Sequence, residues 1–181
     1  MMILASGNYS ILSQFDAENF TIPLELLPQA ETSRLFGWAP EEVIATITTE
    51  SVTMNNHAFG LAPASFKASA NLASYFSLLS INYDREKRYF VSSVEHVDYP
   101  IYAVQWHPEK NEFEWNHEVI NHSPDAVASM EYFGWFFVNE CRRNRDKFSS
   151  EEELDTYLIY NFAPVYTGLV DDDFVQCYFQ N

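Results

Sequence analysis

The chain has 181 residues, a net charge of −16 and 17% aromatic residues. Its length and apolar content suffice for a cored domain and exclude a disordered tail. The charge argues against a nucleic-acid partner, because binding a phosphate backbone needs Lys and Arg to replace counterions.

No apolar run approaches the ~20 residues of a membrane span. Two cysteines, Cys141 and Cys177, are too few and too far apart for a disulfide framework or a CxxC metal site. Met1-Met2-Ile3-Leu4-Ala5 is apolar but has no basic residues before it, so no signal peptide is read here. It reads as the end of a buried element, stopped by Ser6-Gly7-Asn8. Three N-x-S/T sequons occur, at Asn8, Asn19 and Asn121, and Asn121 is expected in an exposed loop.

Taken in chain order, Ser33-Arg34-Leu35-Phe36 reads as a short helix and Ala39-Pro40-Glu41-Glu42 as a turn and a helix start. Val43-Ile44-Ala45-Thr46-Ile47-Thr48 is β-branched and predicts a strand. Residues 53–62 are polar at first and read as a loop, and 70–79 as helix or irregular structure. Asn82-Tyr83-Asp84 is turn-like and introduces a strand at residues 88–94. Asp98-Tyr99-Pro100 breaks it, and residues 101–106 form a second, more apolar strand, expected to be buried on both faces. The short connection predicts an antiparallel hairpin over residues 89–106.

Ser123-Pro124-Asp125 gives a capping serine, a proline at the first helical position and an acid in the first turn. Val127, Met130, Phe133, Gly134, Phe137, Val138 and Cys141 then recur at helical spacing, predicting a helix over 124–143 with Cys141 in or near the core. Ser150-Glu151-Glu152-Glu153 is a capping box that opens a helix over 151–160. Residues 174–179 form a short edge strand.

The chemistry gathers at Val104-Gln105-Trp106-His107-Pro108-Glu109-Lys110. His107 stands at the C-terminal end of a strand, where α/β sheets place ligand and catalytic groups. Pro108 disfavours a helical His107. In an extended segment residues two apart share a side, so Glu109 can orient the His107 imidazole and stabilise its charged form. A His-x-Glu is also a common surface pair, and the residues alone leave both readings open. His57, in Asn56-His57-Ala58-Phe59-Gly60-Leu61, reads either as a site residue or as a loop histidine exposed by chance.

The run resembles the Q-W-H-P-E motif of class I glutamine amidotransferase-like proteins, whose triad is Cys-His-Glu. Pro100 to Lys110, then Glu114-Trp115, Phe136-Phe137-Val138-Asn139-Glu140, Pro164-Val165-Tyr166-Thr167-Gly168 and Gln176-Cys177-Tyr178 are similar to the signatures of γ-glutamyl hydrolases. The resemblance covers essentially the whole chain. It implies an α/β fold, the C-terminal part of a three-layer α/β/α (flavodoxin-like) class I glutamine amidotransferase-like domain. Residues 1–181 would be a single, N-terminally incomplete domain. It also implies His107 and Glu109 as catalytic residues and His57 as a substrate-binding residue.

The family nucleophile sits in a G-x-C-x-G turn between strand and helix, where backbone N–H groups lower the thiol pKa and stabilise an oxyanion. Neither Cys141 nor Cys177 fits that context. Met1 to Gly7 resembles the far end of the helix after the elbow, so the chain is expected to start just past the nucleophile. The resemblance further implies a folate poly-γ-glutamate substrate, acyl-enzyme chemistry, no metal or cofactor, a homodimer, and a lysosomal, vacuolar or extracellular location. A zinc deaminase is the first alternative, but the P-C-x-x-C that should accompany its H-x-E is absent. A catalytically inactive relative that binds γ-glutamyl ligands or a partner is the second, and for the chain by itself it is favoured over catalysis.

Overall fold

The computed structural model describes residues 1–115, 119–170 and 176–179. They form two compact units, Met1–Arg142 and Arg143–Asn181.

The first unit opens with α1 (Met2–Ser6), closed by Gly7 at φ 67°, where a left-handed conformation lets its amide reach the Ile3 and Leu4 carbonyls. β1 (Ser13–Ile22) and β2 (Glu25–Leu26) follow, then a 3₁₀ turn at Pro28–Thr32. α2 spans Glu41–Thr49. The strand expected from Val43 to Thr48 is therefore a helix. Val43, Thr46 and Ile47 are its buried residues, spaced i, i+3, i+4, and Glu41 and Glu42 suit the helix N-terminus. Periodicity and charge outweigh the β-branched composition.

β3 is Thr53–Gly60, where a loop was expected. Its polar residues misled because two of them are interior: Thr53 and Asn55 are fully buried, and the Thr53 hydroxyl donates to the Ile22 carbonyl at 2.5 Å. α3 (Pro63–Ala68), α4 (Ala70–Tyr75), β4 (Phe76–Tyr83), β5 (Tyr89–His96), β6 (Tyr102–Val104), α5 (Lys110–Phe113) and α6 (Pro124–Arg142) complete the unit.

β2, β4, β5 and β6 form one sheet in that order, and each neighbouring pair is antiparallel. The expected hairpin is present, with Ser93 opposite Val104 and Glu95 opposite Tyr102. β1 and β3 make a separate antiparallel ribbon. The sheet has a core on each face. Tyr102 and Val104 pack with Leu79, Trp106, α2 and α6, whereas Ala103, pointing the other way, packs with Leu72, Phe76, Leu78 and Val94 and with residues of α1 and α3. Helices thus cover both faces, the three-layer α/β arrangement expected.

β6 differs from expectation in being half-buried. It pairs with β5 alone among the described strands, and an apolar cavity of about 220 Å³ lies along Tyr102, Val104, Phe136 and Phe137. α6 matches the expected span, but its burial stops at Phe133. Trp135, Phe137 and Val138 are exposed, and so is Cys141. The cysteine is not a core residue: the buried residues of α6 end two turns before it.

In the second unit α7 (Glu151–Thr156) is shorter than expected, and a 3₁₀ turn at Ile159–Asn161 takes up the rest. Ser150 Oγ accepts the Glu153 amide at 3.1 Å, and Glu153 reaches back to Ser149. β7 (Pro164–Tyr166) pairs antiparallel with β8 (Gln176–Tyr178). The strand expected over residues 174–179 is seen in β8, while Phe174 and Val175 lie outside the described residues.

Candidate active site

His107 follows β6, and its backbone N–H donates to the Met54 carbonyl of β3 at 2.8 Å. That bond ties the segment after the sheet strand to the ribbon. His107 Nδ1 lies 2.7 Å from Glu109 Oε1. An ionised carboxylate only accepts, so Nδ1 carries the proton and Nε2 is the free basic nitrogen. The contact does not arise by strand alternation. Glu109 sits at φ −72°, ψ −20°, at the start of α5, so a turn through Pro108 brings the carboxylate back to the ring. Burial pushes the Glu109 pKa up, but the His107 hydrogen bond and the neighbouring cations draw it below the ordinary value.

His57 is a strand residue, not a loop residue. It lies in β3 directly opposite Ala17. Its ring meets Phe90 edge-to-face with centroids 4.8 Å apart. Both ring nitrogens are buried without a hydrogen-bond partner among the described residues. Burial lowers its pKa to about 4. The Phe59 backbone favours the charged form without reaching hydrogen-bond geometry, and His107 disfavours it by like-charge repulsion. His57 and His107 are therefore within electrostatic reach of each other. A neutral imidazole whose nitrogens lack partners can donate to or accept from a substrate group at no loss of an internal bond.

A groove of about 630 Å³ runs from Glu109 and Pro108 along Phe113, Phe133, Trp135 and Phe137. Neither cysteine sits in a strand-to-helix turn: Cys141 is in α6 and Cys177 in β8. The sequon at Asn121 is not freely exposed. The Asn121 amide nitrogen donates to the Ser51 carbonyl and its oxygen accepts the Ser123 amide. Asn8 and Asn19 are the exposed ones.

Sequence reading missed the cluster at Asp84, Arg85 and Arg88. The Asp84 carboxylate is buried and accepts five hydrogen bonds, from the Asp16, Glu86 and Arg88 amides and twice from the Arg88 guanidinium. The available signal was an acid at a turn with arginines one and four residues on. Asn111 was also missed. It is fully buried, and its side-chain amide holds the Val52 and Asn121 carbonyls.

These features define an α/β protein with a histidine–carboxylate pair just beyond a sheet strand and a second histidine within electrostatic reach of it. No family model matches the chain. Curated relatives do. It is 39% identical over 165 residues to γ-glutamyl hydrolase B of Dictyostelium discoideum, covering 91% of this chain and 48% of that protein. It is 38% identical over 179 residues to human γ-glutamyl hydrolase, covering 98% and 55%. With γ-glutamyl hydrolase 1 of Arabidopsis thaliana the identity is 35%, covering 98% and 51%. The chain belongs to the γ-glutamyl hydrolase family and spans about half the length of the curated relatives it matches. Among the described residues no helix is long and apolar enough to cross a membrane.

Proposed function

We propose that the chain supplies the histidine and glutamate of a Cys-His-Glu hydrolase that cleaves γ-glutamyl bonds of folate poly-γ-glutamates. The observation that carries this reading is the 2.7 Å contact between His107 Nδ1 and Glu109 Oε1, set in a sequence whose relatives are named γ-glutamyl hydrolases. In this mechanism His107 Nε2 takes the proton of a cysteine thiol, and the thiolate attacks the γ-carbonyl carbon. Glu109 stabilises the imidazolium. His107 then protonates the departing amine, which leaves with the electron pair of the C–N bond as the tetrahedral adduct collapses to a thioester. Water, deprotonated by the same nitrogen, attacks the thioester and regenerates the thiol. His57 contacts the substrate as a neutral ring. The thiol comes from a G-x-C-x-G elbow outside these 181 residues. The working protein is a homodimer in a lysosomal, vacuolar or extracellular setting.

A second reading is favoured by the placement of Cys141 and Cys177 outside any elbow: by itself the chain binds γ-glutamyl ligands or a partner without cleaving. A γ-glutamyl release assay separates the two, run on the 181-residue chain, on a form extended upstream through the elbow, and on His107→Ala versions of each. The proposal expects cleavage only in the extended form and its loss in His107→Ala. Cleavage by the extended form that survives His107→Ala would overturn it.

A further inference from the structure

The turn between β4 and β5 reaches across to the ribbon strand opposite His57. β1 is longer than its partner on both sides of Ala17. From Gln14↔Phe59 to Ala17↔His57, and from there to Phe20↔Asn55, β1 advances three residues while β3 advances two. Each extra residue is a bulge, which leaves main-chain groups without partners across the ladder and re-aims nearby side chains. Asn19, in the second bulge, has φ 48°.

The β4–β5 turn meets those unpaired groups. The Asp16 N–H donates to Asp84 Oδ2 at 3.0 Å, and the Arg85 N–H donates to the Asp16 carbonyl at 3.1 Å. Arg85 Nη1 donates to Asp16 Oδ1 at 2.8 Å, while Nη2 donates to the Glu18 and Asn19 carbonyls, both at 2.9 Å. Its guanidinium carbon lies 4.7 Å from the Phe20 ring centroid. One planar fork therefore spans both bulges, with Ala17 held between them. On the far side of the ribbon residue, the His57 ring rests on Phe90, which in turn meets Phe15 at 5.6 Å.

We propose that Arg85 is a positioning residue for His57, clamping both bulges of β1 so that the ribbon holds the ring beside His107. This rests on reading His57 and His107 as one site. Lysine cannot replace the fork. Its single nitrogen keeps the charge but cannot reach acceptors on both sides of Ala17.

The test follows the ring resonances of His57 by NMR across pH in the 181-residue chain. The variants are Arg85→Lys, Asp16→Ala and, as a control in the same turn, Lys87→Ala. His57 starts from a pKa of about 4 set mainly by burial. A loosened ribbon admits water to the ring, so Arg85→Lys and Asp16→Ala should each raise its titration midpoint by about one unit and broaden its signals. Lys87→Ala should leave both unchanged. Charge alone gives other outcomes: Arg85→Lys would change nothing, and Asp16→Ala, by removing an anion, would lower the midpoint. Either result overturns the clamp, as does an equal shift in Lys87→Ala. The Asp16 and Arg85 side chains are about half exposed, so folding should survive; if Arg85→Lys does not fold, Asp16→Ala decides. No readout here depends on cleavage, so the chemistry proposed above fails separately, by cleavage that persists in His107→Ala.

Discussion

Glu109 holds His107 from the position that caps helix α5, not from an extended strand: its Oε1 is 2.7 Å from the ring while its backbone is already helical. The pair is local and depends on the bend at Pro108. Replacing Pro108 with alanine should loosen the bend while leaving both side chains in place. Replacing Glu109 with glutamine keeps the shape and removes the charge that favours the imidazolium. In the elbow-extended protein Glu109→Gln should lower kcat by about 100-fold or more, with Pro108→Ala intermediate. Steady-state γ-glutamyl release measures both, and wild-type kcat in Glu109→Gln would remove the carboxylate from the mechanism.

The depressed pKa of His57 makes the fold acid-sensitive with a definite sign. The unfolded chain binds this proton near pH 6.5 and the folded chain near 4, so stability falls as pH drops from 6.5 toward 4 and the loss levels off below that. At about 1.4 kcal/mol per unit, this one half-buried ring contributes at most about 3.5 kcal/mol of the loss, and less to the extent that solvent screens it. Urea unfolding at pH 7 and pH 4.5 should show a smaller difference in His57→Gln than in the unchanged chain.

Asp84 carries the opposite sign of partner. Burial pushes its pKa up, but the hydrogen bonds from the Arg88 and Asp16 amides and the Arg88 guanidinium pull it below the ordinary carboxylate value. Its stabilisation is therefore present above the unfolded carboxylate pKa and is lost only as pH falls through the lower folded value. Asp84→Asn should destabilise by about 2 kcal/mol or more, because an amide keeps one accepting oxygen and puts an N–H donor where the other stood. An unchanged urea midpoint in Asp84→Asn would contradict the five-bond arrangement.

Trp106 is 2% exposed, meets Phe133 edge-to-face at 4.8 Å and donates its indole N–H to Ser93 Oγ at 3.1 Å. Trp106→Ala should cost about 3–5 kcal/mol. Trp106→Phe keeps most of the packing and should cost less, chiefly the lost Ser93 bond.

The exposed stripe of Trp135, Phe137 and Val138 on α6 is an aggregation hazard in the isolated chain. Phe137→Glu should reduce concentration-dependent light scattering without lowering the thermal midpoint. A lower midpoint would mean that Phe137 contributes to the chain's own core.

What could be read from the sequence was what is local. His107 and Glu109 are two residues apart, the β5–β6 hairpin has a short connection, and α6 announces itself by Ser123-Pro124-Asp125. What could not be read depends on distant partners. β3 reads as a loop because Thr53 and Asn55 are polar, and only the Ile22 carbonyl and the surrounding core make their burial possible. α2 reads as a strand when its branched residues are weighed above their spacing. Arg85 looked like any turn arginine, since its acceptors lie 66 to 69 residues earlier. Cys141 follows the helical pattern of the core, yet the pattern continues past the surface that this chain buries.

The hydrogen bond from His107 to the Met54 carbonyl makes β3 a ruler. One end of a three-residue interval is pinned beneath His107 and the other bears His57. A strand turns each successive side chain to the opposite face, so inserting or deleting one residue between Met54 and His57 would swing the second imidazole to the wrong side of the ribbon while leaving the first in place. Length variation should therefore be tolerated in the loops around this ribbon and excluded from that interval, whatever substitutions Asn55 and Asn56 can accept.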